Sequence, residues 1–294
     1  MKPMTRYEDI EYSSADGRLR LFARDYQACQ ASDAAPLLMM HGLTRNSADF
    51  ESLIKDLDWQ GRMIVPDQRG RGRSQYDEDP ANYRPDIYVE DMWRLLDNLG
   101  IERVVCIGTS MGGLMSMMMG AQRPSAVTSI VLNDIGPSVS EEGLDRIRSY
   151  VGPSDPMEGW DEAARRCKQI NQGALDGFDH ADWVAFARRT CEELNDGSVR
   201  FAYDPGIAEG MAVEDTNAVP PDLWQMWEAL RDKPVLTIRG AKSDILTAET
   251  VAEMGLRHPD NFCSVEIAGR GHAPLLDEPE AVSAIACFLD ETCK

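Results

Sequence analysis

No apolar run in the 294 residues approaches the roughly 20 that a membrane-spanning helix needs. The opening stretch, Met1 to Ile10, is polar and lacks the apolar core of a secretory leader, so a cytoplasmic protein is expected. Histidine is scarce, with four residues at positions 41, 180, 258 and 272. The seven cysteines (29, 106, 167, 191, 263, 287, 293) are scattered and contain no Cys-x-x-Cys pair. Neither set has the spacing of metal ligands, so no metal and no cofactor are expected, and the thiols are expected to be reduced. Positive charge is in deficit, 30 Lys and Arg against 50 Asp and Glu, for a net charge of −20. That excludes nucleic acid and anionic membrane as natural partners and leaves a small-molecule substrate, with the oligomeric state open. Internal repeats and low-complexity tracts are absent. A hydrophobic fraction of 43% with 27% charged residues is the balance of a globular chain.

What is present is a series of short apolar runs alternating with helical patterns. Tyr7 to Ser13 and Leu19 to Tyr26, joined at Asp16-Gly17, read as an antiparallel pair at a sheet edge. Pro36 to Met40, Met63 to Pro66, Val104 to Thr109 and Ser129 to Leu132 read as buried strands, and Pro234 to Gly240 and Phe262 to Ala268 as two further strands. Helical patterns over 49–57, 86–99, 113–123, 247–257 and 278–289 separate most of them. Strand and helix in alternation predict a mostly parallel, doubly wound α/β sheet with an antiparallel edge. The alternation stops between Ser138 and Asp232, which holds four of the six tryptophans and no clear buried strand. Gly136-Pro137 and Pro220-Pro221-Asp222 bound it. The expected organisation is a core of 1–137 and 233–294 with a mostly helical cap over 138–232.

The stretch that organises the chain is the run from Val104 into Gly108-Thr109-Ser110-Met111-Gly112-Gly113. A strand ending in Gly-x-Ser-x-Gly and passing into a helix exposes a serine hydroxyl at a sharp turn, beside the N–H groups of a helix start. Such a serine needs a base, and the base an orienting carboxylate. His272, in Gly271-His272, follows the last strand. Asp244, in Lys242-Ser243-Asp244, follows the strand before it. Both project from strand carboxyl ends, where open α/β sheets bind ligands. Asp134 also ends a strand, the one after the serine's own; it stands as the rival acid, or as a helix or turn cap.

These pieces, with His41-Gly42, Asp67-x-Arg69-Gly70-x-Gly72-x-Ser74 and Gly108-x-Ser110-x-Gly112-Gly113, resemble the α/β-hydrolase superfamily along nearly the whole chain. The resemblance implies Ser110 as nucleophile, His272 as base, Asp244 as acid, and the N–H groups of Leu43 and Met111 as the oxyanion hole. It further implies a carboxylic ester or lactone hydrolase of esterase type, with the inserted helices as a lid. Some relatives take the acid from the position of Asp134. An Asp nucleophile, as in epoxide hydrolases and haloalkane dehalogenases, is absent. A carbon–carbon hydrolase of meta-cleavage type is the alternative, although His41-Gly42-Leu43-Thr44 departs from that group's His-Gly-x-Gly loop. A perhydrolase side activity and a triad-bearing ligand receptor are further alternatives. The tryptophan-rich cap and the elbow's methionine and leucine neighbours predict a small to medium, mainly apolar, uncharged substrate.

Several residues carry a structural expectation instead. His41 is expected to bond local backbone, and His180 and His258 to be surface or cap residues. Asp67 with Arg69, Arg71 and Arg73 is expected to form a turn whose arginines pair with carboxylates or water, with an anion-binding role for one arginine at the pocket as the alternative. Met115, Met117, Met118 and Met119 are expected to fill core, the four cap tryptophans to anchor packing, and Met39, Met40 and Met111 are candidates to line the pocket.

Overall fold

A computed structural model describes residues 6–29, 34–212 and 222–293. The antiparallel edge is β1 (Glu8–Ser13) and β2 (Arg20–Tyr26), followed by β3 (Leu37–Met40). A 3-10 turn, Ser47–Phe50, runs into α1 (Glu51–Asp56), splitting the single helix expected over 49–57. Then come β4 (Met63–Asp67), α2 (Pro85–Asn98), β5 (Val104–Thr109), α3 (Met111–Gln122) and β6 (Val127–Asn133). Strands and helices expected from the sequence recur within a few residues of their observed ends.

The stretch after β6 holds α4 (Glu141–Tyr150), α5 (Gly159–Ile170), α6 (His180–Thr190), β7 (Cys191–Glu193), β8 (Val199–Phe201), α7 (Ile207–Ala212) and α8 (Leu223–Glu228). Its content is mostly helical, and it adds a two-stranded hairpin, β7 against β8, that three-residue strands are too short to announce in sequence. Pro220 and Pro221, read as part of its boundary, lie outside the described residues. The chain closes with β9 (Val235–Gly240), α9 (Ala248–Arg257), β10 (Phe262–Ile267) and α10 (Pro279–Thr292).

Eight strands form one sheet in the order β1-β2-β4-β3-β5-β6-β9-β10. β1, β2 and β4 pair antiparallel and every other neighbour pair is parallel. Side chains alternate faces along a strand, and the alternation feeds two separate cores. Leu38, Met40, Val104, Cys106, Ile130 and Leu132 enter the layer that contains α2 and α3. Leu37, Met39, Val105, Ile107 and Val131 enter the opposite layer with α1 and α10. Both faces of β5 are therefore dry, which is why its sequence is a continuous apolar run. Met115, Met117 and Met119 fill the first layer as expected, with Met118 packed at its margin.

The segment between β6 and β9 has a third core built on Met157, Cys167, Trp183, Phe186 and Val199. Its α6 is well started: the Asp179 carboxylate accepts from the Asp182 N–H, and the Asp182 carboxylate accepts from the Asp179 N–H. α4 and α8 instead pack into the main core through Ile147 and Trp227. Trp183 and Trp227 are buried anchors, as expected of cap tryptophans. Among the described residues no helix is long and apolar enough to cross a membrane.

Candidate active site

β5 delivers Ser110 and α3 begins at the next residue, so the serine has no room to relax. Its backbone stands at φ 52° and ψ −114°, a region L residues rarely occupy. Two glycines make the turn possible. A Cβ at Gly108 would lie 2.2 Å from the Gly112 carbonyl oxygen, and one at Gly112 would lie 2.0 Å from the Met40 carbonyl oxygen. Both clashes are with backbone, which cannot rotate away. Gly112→Ala is therefore expected to destabilise the fold by about 3 kcal/mol or more, read from urea denaturation. Wild-type stability in this variant would mean that β3 and α3 are not held this close.

The Ser110 hydroxyl makes no capping bond to its helix. It lies 2.8 Å from His272 Nε2. His272 Nδ1 lies 2.8 Å from Asp134 Oδ2, not from Asp244. The acid expected from the sequence is thus corrected. Across the β5–β6 register Thr109 is level with Asn133, which places Asp134 directly beside Ser110. Asp134 adopts φ 58° and is fully buried. Its Oδ1 accepts from the Gly240 N–H at 2.7 Å, and its Oδ2 also accepts from the Ser243 hydroxyl at 2.5 Å. These donors aim the carboxylate at the imidazole and tie the ends of β6 and β9 together.

Asp244 has another partner. Arg146 of α4 grips it, with Nη2 2.9 Å from Oδ1 and Nε on Oδ2. Burial alone would raise the Asp244 carboxyl, but the guanidinium outweighs it and holds the group below its ordinary value. The pair clamps α4 to the loop after β9, where a Cβ on Gly143 would meet the Asp244 carbonyl oxygen at 2.4 Å.

The loop carrying His272 is braced by groups that gave no sequence signal. Asn133 Nδ2 donates to the Pro274 carbonyl at 2.8 Å and to Thr109 Oγ1 at 3.0 Å. Glu278 Oε1 accepts from Arg270 Nε at 2.6 Å and from the Leu275 N–H at 3.2 Å.

Met111 follows Ser110 at the start of α3, and Leu43 lines the same cleft as the serine. Among the described residues neither N–H has an acceptor within the protein. His41 fixes the first of these loops. The Gln68 N–H can only donate, at 3.1 Å, so His41 Nε2 is the acceptor and Nδ1 carries the proton it gives to the Gly42 carbonyl at 2.8 Å. Burial pushes the His41 imidazole down to about 3, and nearby Arg71 and Arg45 add to the effect. His41 is neutral and structural. His180 is exposed at the start of α6, 3.1 Å from Asp161. His258 is the C-cap of α9, the cap role of the two expected, and it is buried edge-on against Trp227, 5.1 Å between ring centres, instead of lying at the surface.

Asp67 is the centre of a turn, accepting from the Ser47 N–H at 2.6 Å and the Arg73 N–H at 2.9 Å. Arg69 pairs with Asp77 and Asp91 in the interior, and Arg73 with Asp9 at the surface. Arg71 is fully buried and among the described residues pairs with no carboxylate, a departure from the expected pattern.

A cleft of about 100 Å³ opens over Ser110 and His272. Its apolar wall includes Ile147, Ile170, Leu175, Phe186, Phe201 and Leu275. Met39, Met40 and Met111, candidates to line it, lie in the core instead. The wall is not wholly apolar. Arg45 and Asp49 face it as an ion pair, Nε to Oδ1 at 2.9 Å, with the guanidinium stacked 4.1 Å over the Phe186 ring. A hydroxyl hydrogen-bonded to a carboxylate-oriented imidazole, beside two unspent N–H donors and a cleft, is equipped for nucleophilic attack on a carbonyl carbon.

The fold is shared with known proteins. The family model described as alpha/beta hydrolase fold matches residues 35–279. A 3-hydroxybutyrate-oligomer hydrolase of Cupriavidus necator is 33% identical over 86% of this chain and 87% of that protein. A 2-(acetamidomethylene)succinate hydrolase of Mesorhizobium japonicum is 28% identical over 93% of each. The crystal structure of an alpha/beta hydrolase from Novosphingobium aromaticivorans superposes with a TM-score of 0.90 at 41% identity, covering 98% of this chain and 99% of that one. The chain belongs to the alpha/beta hydrolase family, whose fold it carries and whose relatives include named esterases and other hydrolases.

Proposed function

We propose that the chain is a serine hydrolase that cleaves a carboxylic ester or lactone through an acyl-enzyme. The observation that carries this reading is the unbroken hydrogen-bonded chain from Ser110 through His272 to Asp134 at the floor of the cleft. Ser110 Oγ attacks the acyl carbon while its proton passes to His272 Nε2. The carbonyl oxygen takes the negative charge and receives the N–H groups of Leu43 and Met111. The intermediate collapses, and His272 gives the proton to the departing alcohol oxygen. A water then attacks the acyl carbon, losing its proton to the same Nε2, and the acid leaves as Ser110 regains its hydrogen. Asp134 stays ionised throughout and stabilises the imidazolium that forms at each stage.

The segment over 138–232 acts as a cap in this reading, because α4, α5 and α6 supply Ile147, Ile170 and Phe186 to the cleft wall. The small volume and apolar wall favour a small to medium acyl group. The Arg45–Asp49 pair is neutral as a unit and offers polar contact at one side of the substrate. The 3-hydroxybutyrate oligomer named for one relative is joined by ester bonds, which supports the ester reading. The substrate named for the other, 2-(acetamidomethylene)succinate, makes hydrolysis of a non-ester bond by the same serine the second reading.

The test joins two measurements. A phosphonate ester is expected to label the protein once, at Ser110 by peptide mass spectrometry, and to abolish turnover of p-nitrophenyl esters. Labelling at another residue, or turnover that survives it, would overturn the reading. Across acyl chains from acetyl to palmitoyl, kcat/KM is expected to peak at short or medium length. A steady rise to the longest chain, with activation at an oil–water interface, would remove the closed cleft from the account. Single-turnover binding without product release would favour a receptor.

A further inference from the structure

Arg71 is fully buried, and among the described residues no carboxylate lies within ion-pair distance of it, unlike its neighbours Arg69 and Arg73. A buried cation without a counterion is costly unless dipoles replace the lost water. Here the dipoles are few and specifically placed. Nε donates to the Leu43 carbonyl at 2.8 Å and Nη1 to the Arg69 carbonyl at 2.8 Å. Nη2 lies 3.7 Å from Met111 Sδ. The guanidinium carbon is 4.7 Å from the Tyr88 ring centre and 5.5 Å from that of Tyr83. One side chain therefore touches both residues whose N–H groups flank Ser110.

We propose that Arg71 is a positioning residue for the oxyanion hole, holding Leu43 and Met111 in register and placing a buried positive charge behind their N–H groups. The inference rests on the acyl-enzyme reading above. Two flanking peptides fix the Leu43 N–H. The Gly42 carbonyl is bonded by His41, and the Leu43 carbonyl by Arg71. Neither peptide can rotate without breaking a buried hydrogen bond. The charge acts selectively. The substrate carbonyl oxygen is neutral in the ground state and carries a full negative charge in the tetrahedral intermediate. A fixed cation in a site of low dielectric therefore lowers the barrier more than it tightens substrate binding.

The test compares Arg71→Met, Arg71→Gln and Arg71→Lys in the full chain, each checked by circular dichroism and thermal melting. The substrate is p-nitrophenyl butyrate, and the probe is an alkyl trifluoromethyl ketone, which forms an oxyanion on Ser110. Arg71→Met is expected to lower kcat about 100-fold with KM within about threefold, and to weaken the ketone by a similar factor. Arg71→Gln keeps a donor for the Leu43 carbonyl without the charge, and Arg71→Lys keeps the charge, so Lys is expected to exceed Gln in kcat by about tenfold. If Arg71→Met does not fold, the Lys and Gln pair decides. Equal activity of those two variants, or a loss of kcat with unchanged ketone affinity, would overturn the proposal. Wild-type protein that a phosphonate fails to label at Ser110 would instead overturn the acyl-enzyme reading. Prompt Ser110 labelling in wild type and in all three variants alike would sink the role of Arg71 alone.

Discussion

Asp134→Asn is expected to lower kcat by about 10³- to 10⁴-fold, the scale of losing the carboxylate in a serine triad. The same change at Asp244 is expected to leave kcat within about tenfold. The Asp134 carboxylate receives three donors: the Gly240 N–H on one oxygen, and the Ser243 hydroxyl and His272 Nδ1 on the other. An asparagine has one acceptor oxygen and one NH₂. If its oxygen faces Gly240, its NH₂ confronts His272 Nδ1 and forces the proton to Nε2, the atom that must accept the Ser110 proton. If its oxygen faces His272, the NH₂ confronts the Gly240 N–H in the interior. In either orientation the buried negative charge that stabilises the imidazolium is gone. A stability loss of about 1–3 kcal/mol should accompany the change, from the unpaired donor. Activity must therefore be read per folded molecule, with the melting curve beside it. Asp244→Asn removes one partner of an ion pair about a third exposed, which is worth at most about 1 kcal/mol. An inactive Asp244→Asn beside an active Asp134→Asn would show that His272 takes its acid from the loop after β9.

The contrast between these aspartates shows where sequence reasoning reaches its limit. Buried strands are legible because both of their faces are dry, so β3 and β5 appear as apolar runs. The serine is legible because a strand cannot turn into a helix in three residues without glycines at close approach. His272 follows from its place after the last strand, whereas Leu43 and Met111 come only from the resemblance of His41-Gly42 and the elbow to the α/β-hydrolase superfamily. The choice of acid does not follow, since β6 and β9 both end near an aspartate and both ends face the histidine. What decides it is Arg146, 98 residues away on α4, which occupies Asp244. It is also decided by Ser243, adjacent to Asp244 in the chain, whose hydroxyl turns to Asp134. Both are tertiary facts with no local signature. Arg71 was hidden for a different reason. It stands in a row of arginines with one sequence context, both it and Arg69 are buried, and what separates them is that the fold brings Asp77 and Asp91 to Arg69 and, among the described residues, no carboxylate to Arg71. The Arg45–Asp49 pair escaped because residues four apart on a turn read equally well as a solvated surface pair.

Ser110→Ala is expected to abolish turnover, lowering kcat by about 10⁴-fold or more, while Ser110→Gly does the same and yields a more stable protein. The activity loss follows from removing the hydroxyl bonded to His272 Nε2, since among the described residues no other side chain bonds that atom. The stability difference follows from the backbone. At φ 52° and ψ −114° a side chain with a Cβ is strained, at a cost on the order of 1–3 kcal/mol. Alanine keeps that Cβ and so keeps the strain. Glycine removes it, against an opposing loss of about 0.5–1 kcal/mol from the greater freedom of the unfolded chain. The expected net gain of Ser110→Gly over Ser110→Ala is about 1 kcal/mol, measured as a shift in the urea midpoint at constant slope. Such a gain would mean that the wild-type fold holds its serine in a conformation it would otherwise abandon, so that the hydroxyl is presented to His272 before substrate arrives. A glycine variant less stable than the alanine variant would show that the elbow is not strained, and that the hydroxyl's position is set by its hydrogen bond alone.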